Sequence, residues 1–377
     1  MKVYVTQYEK TKDMSVLMVF SSSELGGAER SLTRMALASS PKIYQLATLD
    51  GEGPWCDWAR SQGLQPLVFG VRNGLLHGSL RLGSFVSLLR HVRREGIQIV
   101  YVCGLRASLW LRLLNILLPR VKLVHGIRWN PGSNSRLDQF FRFVERWLNR
   151  FVDLYITNSQ IAAKTLIERC GISAEKVRVI HNGIAQRPTK IPPLAERPLN
   201  VLTVANLNPR KGYLEYLLAI EIVLQQIQNV YFTFVGRDDM NGKVQSAIRE
   251  RGLSERVSWV GFQQDVSSWM MSARLLVVPS LWNEGCPTAV LEAMSHGVPV
   301  VGYALDGLPE LVRHGQDGLL IPIADTELLA KNIINMLRET EVANRMSASS
   351  LAHSVAEFQL NRCVRKHRDA FELFVKR

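Results

Sequence analysis

Short apolar runs recur along the chain, and stretches with helical spacing separate them. In the first half they fall at 15–20, 43–49, 66–69, 97–102, 122–124, 152–157 and 177–180; in the second, at 199–204, 231–235, 257–260, 275–278 and 298–301. Unbroken apolar runs, rather than alternation with polar residues, predict strands buried on both faces, as in parallel sheets. Helical patterns at 31–38, after Pro54, at 79–95, 105–118 and 160–170, beyond Gly212, and at 325–338 supply the crossovers, with a last helix over about 355–375. An antiparallel sandwich would show closer spacing and no long amphipathic stretches, so the pattern predicts an α/β fold with doubly wound parallel sheets.

The periodicity fails once, at residues 185–198, where AQRPTKIPPLAERP carries four prolines. Such a segment is an exposed, semi-rigid linker. It divides the chain into a domain over 1–184 and a second over 199–355. The helix at 356–377 is expected to cross back to the first domain, and 377 residues suit two domains with cores of their own.

The sharpest candidate chemistry lies in residues 274–302, RLLVVPSLWNEGCPTAVLEAMSHGVPVVG. A strand, a loop over 280–286, a helix opened by Pro287 and a second strand make a βαβ unit, and ligands gather where such strands end and helices begin. The first helical turn offers unpaired amides and a positive dipole end, which makes Thr288 and Ala289 expected phosphate ligands. Glu284 precedes the helix, and Glu292 lies about 7.5 Å along its axis with a side chain leaning back toward the amino end. Carboxylates accept paired hydrogen bonds from vicinal hydroxyls, so a diphosphate at the helix tip could have a sugar at Glu284 and a ribose at Glu292. Spacing alone leaves open an ordinary βα loop with two solvated glutamates.

Three further stretches converge on the same kind of site. Gly26-Gly27 lets the backbone turn and approach a ligand ahead of a helix. Arg210 and Lys211 stand between a strand end and a helix, where cations sit badly unless an anion is present, so they are expected to clamp a diphosphate. His125, placed at a strand end, and the Arg128 that follows point toward the cleft side. Glu29 and Arg30 are read as a surface pair, Asn182-Gly183 as a tight turn, and Glu310 as a structural residue capping its own helix.

These motifs together resemble retaining GT-B glycosyltransferases of family 4. Glu284, seven residues, then Glu292-Ala293-Met294 and Gly297-Val298-Pro299-Val300-Val301 carry the resemblance, with Gly26-Gly27-Ala28-Glu29-Arg30 and Lys211-Gly212 in support. It implies a GT-B fold, two Rossmann-like domains facing a cleft, the first holding the acceptor and the second a nucleotide-sugar donor. It also implies that Glu284 and His125 contact the donor sugar, Glu292 the ribose, Lys211 the diphosphate, and Phe262 the base. Asn206 stands where the family usually has Arg, a gap that Arg210 can fill. Asp238-Asp239 is not the Asp-x-Asp of the metal-dependent architecture, so neither metal nor cofactor is expected. With no carboxylate obviously placed as a covalent nucleophile, the resemblance implies front-face displacement in bacterial cell-surface polysaccharide or glycolipid synthesis. The rival readings are an epimerase or phosphorylase of like architecture and a non-enzymatic binder of anionic polymers.

Charge adds a partner. Residues 1–190 hold 27 Lys+Arg against 13 Asp+Glu, and the remainder 19 against 20, so the whole excess behind the net charge of +13 lies in the first half. Residues 85–150 alone carry twelve basic side chains against Glu95, Asp138 and Glu145. Helices mixing Arg with Leu, Phe and Trp suggest peripheral contact with an anionic membrane, where the acceptor would be a glycan or a lipid-linked sugar. Nucleic acid competes for such a field, but is not the partner expected here. The segment MKVYVTQYEK lacks an apolar core for a leader, and Arg106 and Arg112 interrupt the most apolar stretch. Five scattered cysteines read as reduced thiols. The expected location is cytoplasmic, at the inner face of the plasma membrane.

Overall fold

The computed structural model describes residues 14–39, 43–73, 76–79, 82–185 and 190–375. The leader expectation for the first ten residues and part of the linker, 186–189, fall outside them. The first domain runs β1 (Val16–Phe20), α1 (Gly27–Ala38), β2 (Tyr44–Thr48), α2 (Pro54–Ser61), β3 (Leu67–Val68), β4 (Val71–Asn73), β5 (Leu76–Ser79), α3 (Leu82–Arg94), β6 (Ile99–Cys103), α4 (Leu105–Leu117), β7 (Lys122–Ile127), α5 (Arg136–Leu148), β8 (Leu154–Thr157), α6 (Gln160–Cys170) and β9 (Val177–Val179). Seven of these strands form one parallel sheet, ordered β3-β2-β1-β6-β7-β8-β9; β4 and β5 make a separate antiparallel pair.

The second domain runs β10 (Asn200–Val204), α7 (Tyr213–Gln226), β11 (Tyr231–Val235), α8 (Lys243–Glu250), β12 (Val257–Trp259), α9 (Ser267–Ser272), β13 (Leu275–Val278), α10 (Thr288–Ser295), β14 (Val300–Tyr303), α11 (Leu308–Leu311), β15 (Gly318–Ile321), α12 (Thr326–Arg338) and α13 (Thr340–Glu357), and α14 (Leu360–Val375) follows. Its sheet is also parallel, ordered β12-β11-β10-β13-β14-β15. The unbroken apolar runs are explained by cores on both faces of each sheet. On β1, Leu17 and Val19 join one cluster while Val16, Met18 and Phe20 join the other. On β10 and β13, Val201, Leu275 and Val277 face one way and Leu202 and Leu276 the other.

Each strand order reverses once, between β1 and β6 in the first sheet and between β10 and β13 in the second. Loops leaving adjacent strands diverge there and open a crevice at the carboxyl edge of the sheet. The chain passes between the domains twice, side by side: Ile184 N–H donates to the Phe358 carbonyl (2.8 Å) and Leu360 N–H to the Ile184 carbonyl (2.9 Å). Beyond that crossing α14 lies on α1, with Ala370 and Phe371 in the first domain's core.

Three local features differ from the pattern reading. Helices α5 and α13 occupy stretches that the periodicity does not delimit, because α5 buries few positions and α13 mixes small and polar residues throughout. Strand β7 runs on to Ile127 instead of ending at Val124, since His125 and Gly126 keep pairing with Tyr155 and Ile156 of β8.

Candidate functional site

The crevice between the sheets is a cleft of about 410 Å³ lined from both domains. Its second-domain wall is built by the loop between β13 and α10. Pro287 is the N-cap of α10, so the amides of Thr288 and Ala289 at its first turn are free of helical bonds. Ahead of it Asn283 adopts a left-handed backbone (φ 59°), and Glu284 turns inward, 4% exposed.

Lys211 Nζ donates to Glu284, and Ser280 Oγ donates to the same carboxylate oxygen (2.6 Å). Burial by itself would raise the Glu284 pKa, but the charges of Lys211 and Arg210 and the hydroxyl of Ser280 hold it below the usual carboxylate range. The same burial pulls the Lys211 pKa down, more than Glu284 restores. Lys211 reaches this place from a tight turn ahead of α7. Gly212 closes that turn at φ 65°, and a Cβ there would come within 2.2 Å of the Pro279 carbonyl, so glycine is required. Arg210 Nη1 donates to the Asn283 carbonyl (2.9 Å), fixing turn and loop together.

The first-domain wall brings Gly26 and Gly27, at the start of α1, opposite the start of α10: a Cβ on Gly27 would stand 3.9 Å from Thr288 Oγ1. Two helix amino ends therefore face one space, a setting for an anion. Two turns along α1, Arg34 Nη1 donates to Glu292 Oε1 at 2.8 Å, an ion pair across the cleft. Arg30 lies between them, its guanidinium 4.9 Å from the Phe262 ring centroid and 5.9 Å from that of Trp58.

Of the residues singled out by sequence, Gly26, Gly27, Arg210, Lys211, Glu284, Thr288, Ala289 and Glu292 line the cleft together. His125 does not. It is fully buried inside β7, with Nδ1 3.3 Å from both Ser108 Oγ and Glu145 Oε1. Burial lowers its pKa against the pull of Glu145, so the ring is neutral and the contact is a hydrogen bond rather than an ion pair. The extension of β7 is the physical reason: the strand ends at Ile127, and the residue after it, Arg128, does line the cleft.

Other expectations change likewise. Glu29 and Arg30 line the cleft instead of pairing on the surface. Asn182 is an interdomain clasp, not part of a free turn: Nδ2 donates to the Cys286 carbonyl (2.7 Å), and Oδ1 accepts from Ser31 Oγ (3.0 Å) and Arg128 Nη1 (3.2 Å). Glu310 caps the other domain's helix, accepting from the amides of Gln160 (2.6 Å) and Ile161 (2.9 Å) at the start of α6, with His181 Nε2 at 2.9 Å. Asp306 bridges Asn130 Nδ2 (2.6 Å) to the Glu284 amide (3.0 Å), coupling the Glu284 backbone to the first domain.

Sequence reasoning missed Arg34, Asn130, Asn182 and Asp306 as parts of this site. Arg30 and Arg34, four apart ahead of any acidic partner on that helix face, were the one available signal. Cys286 is buried with its pKa pushed up to about 12, which removes it as a nucleophile. Among the described residues no group of three or more His, Cys, Asp and Glu could hold a metal ion.

Two parallel α/β domains with a polar cleft at their switch points, one helix tip flanked by two buried carboxylates, define the GT-B architecture. Comparisons with known proteins agree. The profile described as Glycosyl transferases group 1 matches residues 198–339, and that described as Glycosyltransferase Family 4 matches residues 25–186. Among curated relatives, the amylovoran biosynthesis glycosyltransferase AmsK of Erwinia amylovora is 33% identical over 175 residues, 44% of this chain and 43% of AmsK. The UDP-Gal:alpha-D-GlcNAc-diphosphoundecaprenol alpha-1,3-galactosyltransferase of Escherichia coli is 24% identical over 310 residues, 76% of this chain and 78% of that protein. The chain thus spans less than half of the first relative and about three quarters of the second. In fold it is similar to HepE of Anabaena, solved in complex with UDP, with a TM-score of 0.82 at 23% identity over 95% of this chain and 100% of that one. Sucrose-phosphate synthase of Thermosynechococcus elongatus follows at 0.77 and 19% identity, covering 96% and 100%. The chain belongs to the group 1 glycosyltransferases.

Proposed function

We propose that this protein transfers a sugar, with retention, from a nucleotide-sugar donor to an acceptor hydroxyl in the synthesis of a surface polysaccharide or glycolipid. The observation that carries the reading is the anion-seeking tip of α10 set between Glu284 and Glu292, each held by a cation of the same cleft. In this reading the diphosphate lies against Thr288 and Ala289 and faces Arg210, Lys211 and the Gly26-Gly27 turn. Glu292 takes the ribose hydroxyls, releasing Arg34, and Glu284 takes hydroxyls of the sugar. Phe262, 46% exposed, offers a face to the base.

Both carboxylates are engaged by cations, which argues against either as a covalent nucleophile and favours attack on the face the diphosphate leaves. The acceptor oxygen bonds to the anomeric carbon, the carbon–oxygen bond to the diphosphate breaks, and the acceptor proton passes to the departing phosphate. Lys211, Arg210 and the α10 tip supply the charge that stabilises the leaving group. No metal enters this scheme. A panel of UDP-, GDP- and ADP-sugars in a thermal shift assay tests it: one family of nucleotides should raise the melting temperature, and no response to any of them sinks the reading.

The acceptor side carries a second part of the proposal. Helices α4 and α5, tied together by a buried Arg112–Glu145 pair, present Leu113, Ile116 and Leu117 beside Leu137, Phe140, Phe143 and Trp147, all exposed. Exposed Arg120, Arg136, Arg146 and Arg150 rim this apolar face. That composition suits peripheral contact with an anionic bilayer, where a lipid-linked acceptor would be met. Arg112 itself is sealed inside, and no described helix is long and apolar enough to cross a membrane. Flotation with anionic vesicles should fail for Phe143→Ser with Trp147→Ser; binding indifferent to lipid charge would remove the membrane from the proposal.

A further inference from the structure

The cations of the cleft are not equally provided for. Lys211 has Glu284, Arg34 has Glu292, and Arg210 holds the Asn283 carbonyl beside the α10 tip. Two others lack a carboxylate partner: Arg30, with Nε and Nη2 buried and unpartnered, lies over the Phe262 and Trp58 rings, and Arg128 stands beside Gly285. Arg128 Nη1 has only Asn182 Oδ1, at 3.2 Å, an acceptor already shared with Ser31, and its Nε is buried with no partner. No carboxylate of the described residues lies within ion-pair distance of it. Glu29 is within reach of the Arg128 charge, but burial raises its pKa and its carboxyl folds back over Gly26. Tyr101, Cys103, Cys286 and Cys363, which also feel its charge, have pKa values pushed up by burial, and His367 has its own pushed down, so all five are neutral.

A guanidinium so placed is costly unless an anion arrives. Its position says which one. The Arg128 carbonyl lies against Gly285, where a Cβ would approach to 2.8 Å, and its partner Asn182 holds the Cys286 carbonyl. The Arg128 main chain thus flanks residues 284–286 from the first-domain side, and its guanidinium, tied to Asn182, lines the same cleft as Glu284, where a donor sugar would rest. The geometry points to a donor whose sugar bears a carboxylate, a uronic acid, with the planar fork of Arg128 as its counter-ion. This inference rests on the donor reading given above and narrows it to a substrate class.

Isothermal titration of the full chain with matched pairs, UDP-glucuronate against UDP-glucose and GDP-mannuronate against GDP-mannose, with UDP and GDP alone, tests it. In the pair with the accepted base, the acidic sugar should bind about ten- to hundredfold more tightly than the neutral one. Arg128→Gln should bring that ratio close to one, and Arg128→Lys should restore part of it. The wild-type ratio decides even where a variant folds poorly. Equal or tighter binding of the neutral sugar overturns the inference, as does Arg128→Gln weakening the free nucleotide and both sugars alike, which would make Arg128 a diphosphate ligand. Failure of every nucleotide to bind would instead strike the donor reading and take the inference with it.

Discussion

Two arginine–carboxylate pairs in this protein look alike by distance and differ in every other respect. Arg112 Nη2 meets Glu145 at 2.6 Å, with side chains 3% and 0% exposed; Arg34 Nη1 meets Glu292 at 2.8 Å, with side chains 22% and 8% exposed. The first joins α4 to α5 within one domain and is completed by the Tyr155 hydroxyl at 2.5 Å. The second joins α1 to α10 across the cleft. A sealed pair has no exchange partner and serves the fold, whereas a pair spanning a solvent-reached crevice can be replaced by a ligand. Separation in ångströms does not tell the two apart; the elements that carry the partners do.

The largest effect expected is on the sealed pair. Glu145→Gln leaves Arg112 buried without a counter-charge and should cost about 3–5 kcal/mol in urea unfolding, while the folded variant keeps its nucleotide affinity. Comparable losses of stability and affinity would break the comparison. Acid sharpens it. Burial alone would raise the Glu145 pKa, but the hydrogen bonds of His125 and Tyr155 and the charge of Arg112 hold it well below the usual carboxylate range. A depressed carboxylate stabilises fully above its unfolded value and loses that contribution as pH falls through the folded one. The stability gap between wild type and Glu145→Gln should therefore be complete at pH 6 and close progressively as pH falls below about 4.5.

Next in size is the cleft pair's carboxylate. On the proposed reading Glu292→Ala removes the acceptor of two ribose hydroxyls and should weaken nucleotide binding by about 1.5–3 kcal/mol, with unfolding little changed because Arg34 can turn to water. Titration calorimetry beside a melting curve reads both quantities, and an unaltered affinity would contradict the ribose role.

The contrast also shows what a sequence discloses. Sheets and crossovers were legible because continuous apolar runs have one physical meaning, a strand covered on both faces. Glu284, Glu292 and Lys211 were legible because loops at strand ends meet at a switch point. Tertiary partners were not: nothing near Glu292 in the chain announces Arg34, 258 residues away, and nothing near Glu310 announces that it caps α6. His125 was misplaced because strand length depends on pairing with β8, a neighbour the local pattern does not contain, and three residues of extra strand exchanged His125 for Arg128 in the cleft. Helix α5 escaped delimitation for a related reason, its apolar residues facing outward as well as in.

The smallest effect expected belongs to Arg34. It satisfies Glu292 across the cleft, so on the proposed reading a ribose displaces it, and the pair's own worth at this exposure is modest, about 1 kcal/mol or less. Arg34→Ala should then tighten nucleotide binding by up to about fivefold, because the competing cation is gone while the acceptor remains. Raising salt should tighten wild-type binding relative to the variant, since screening weakens the pair that must be broken. If Arg34→Ala instead weakens binding as much as Glu292→Ala does, the arginine is a ligand of the nucleotide and not the occupant of its place, and the cleft pair would act as a unit in holding the donor.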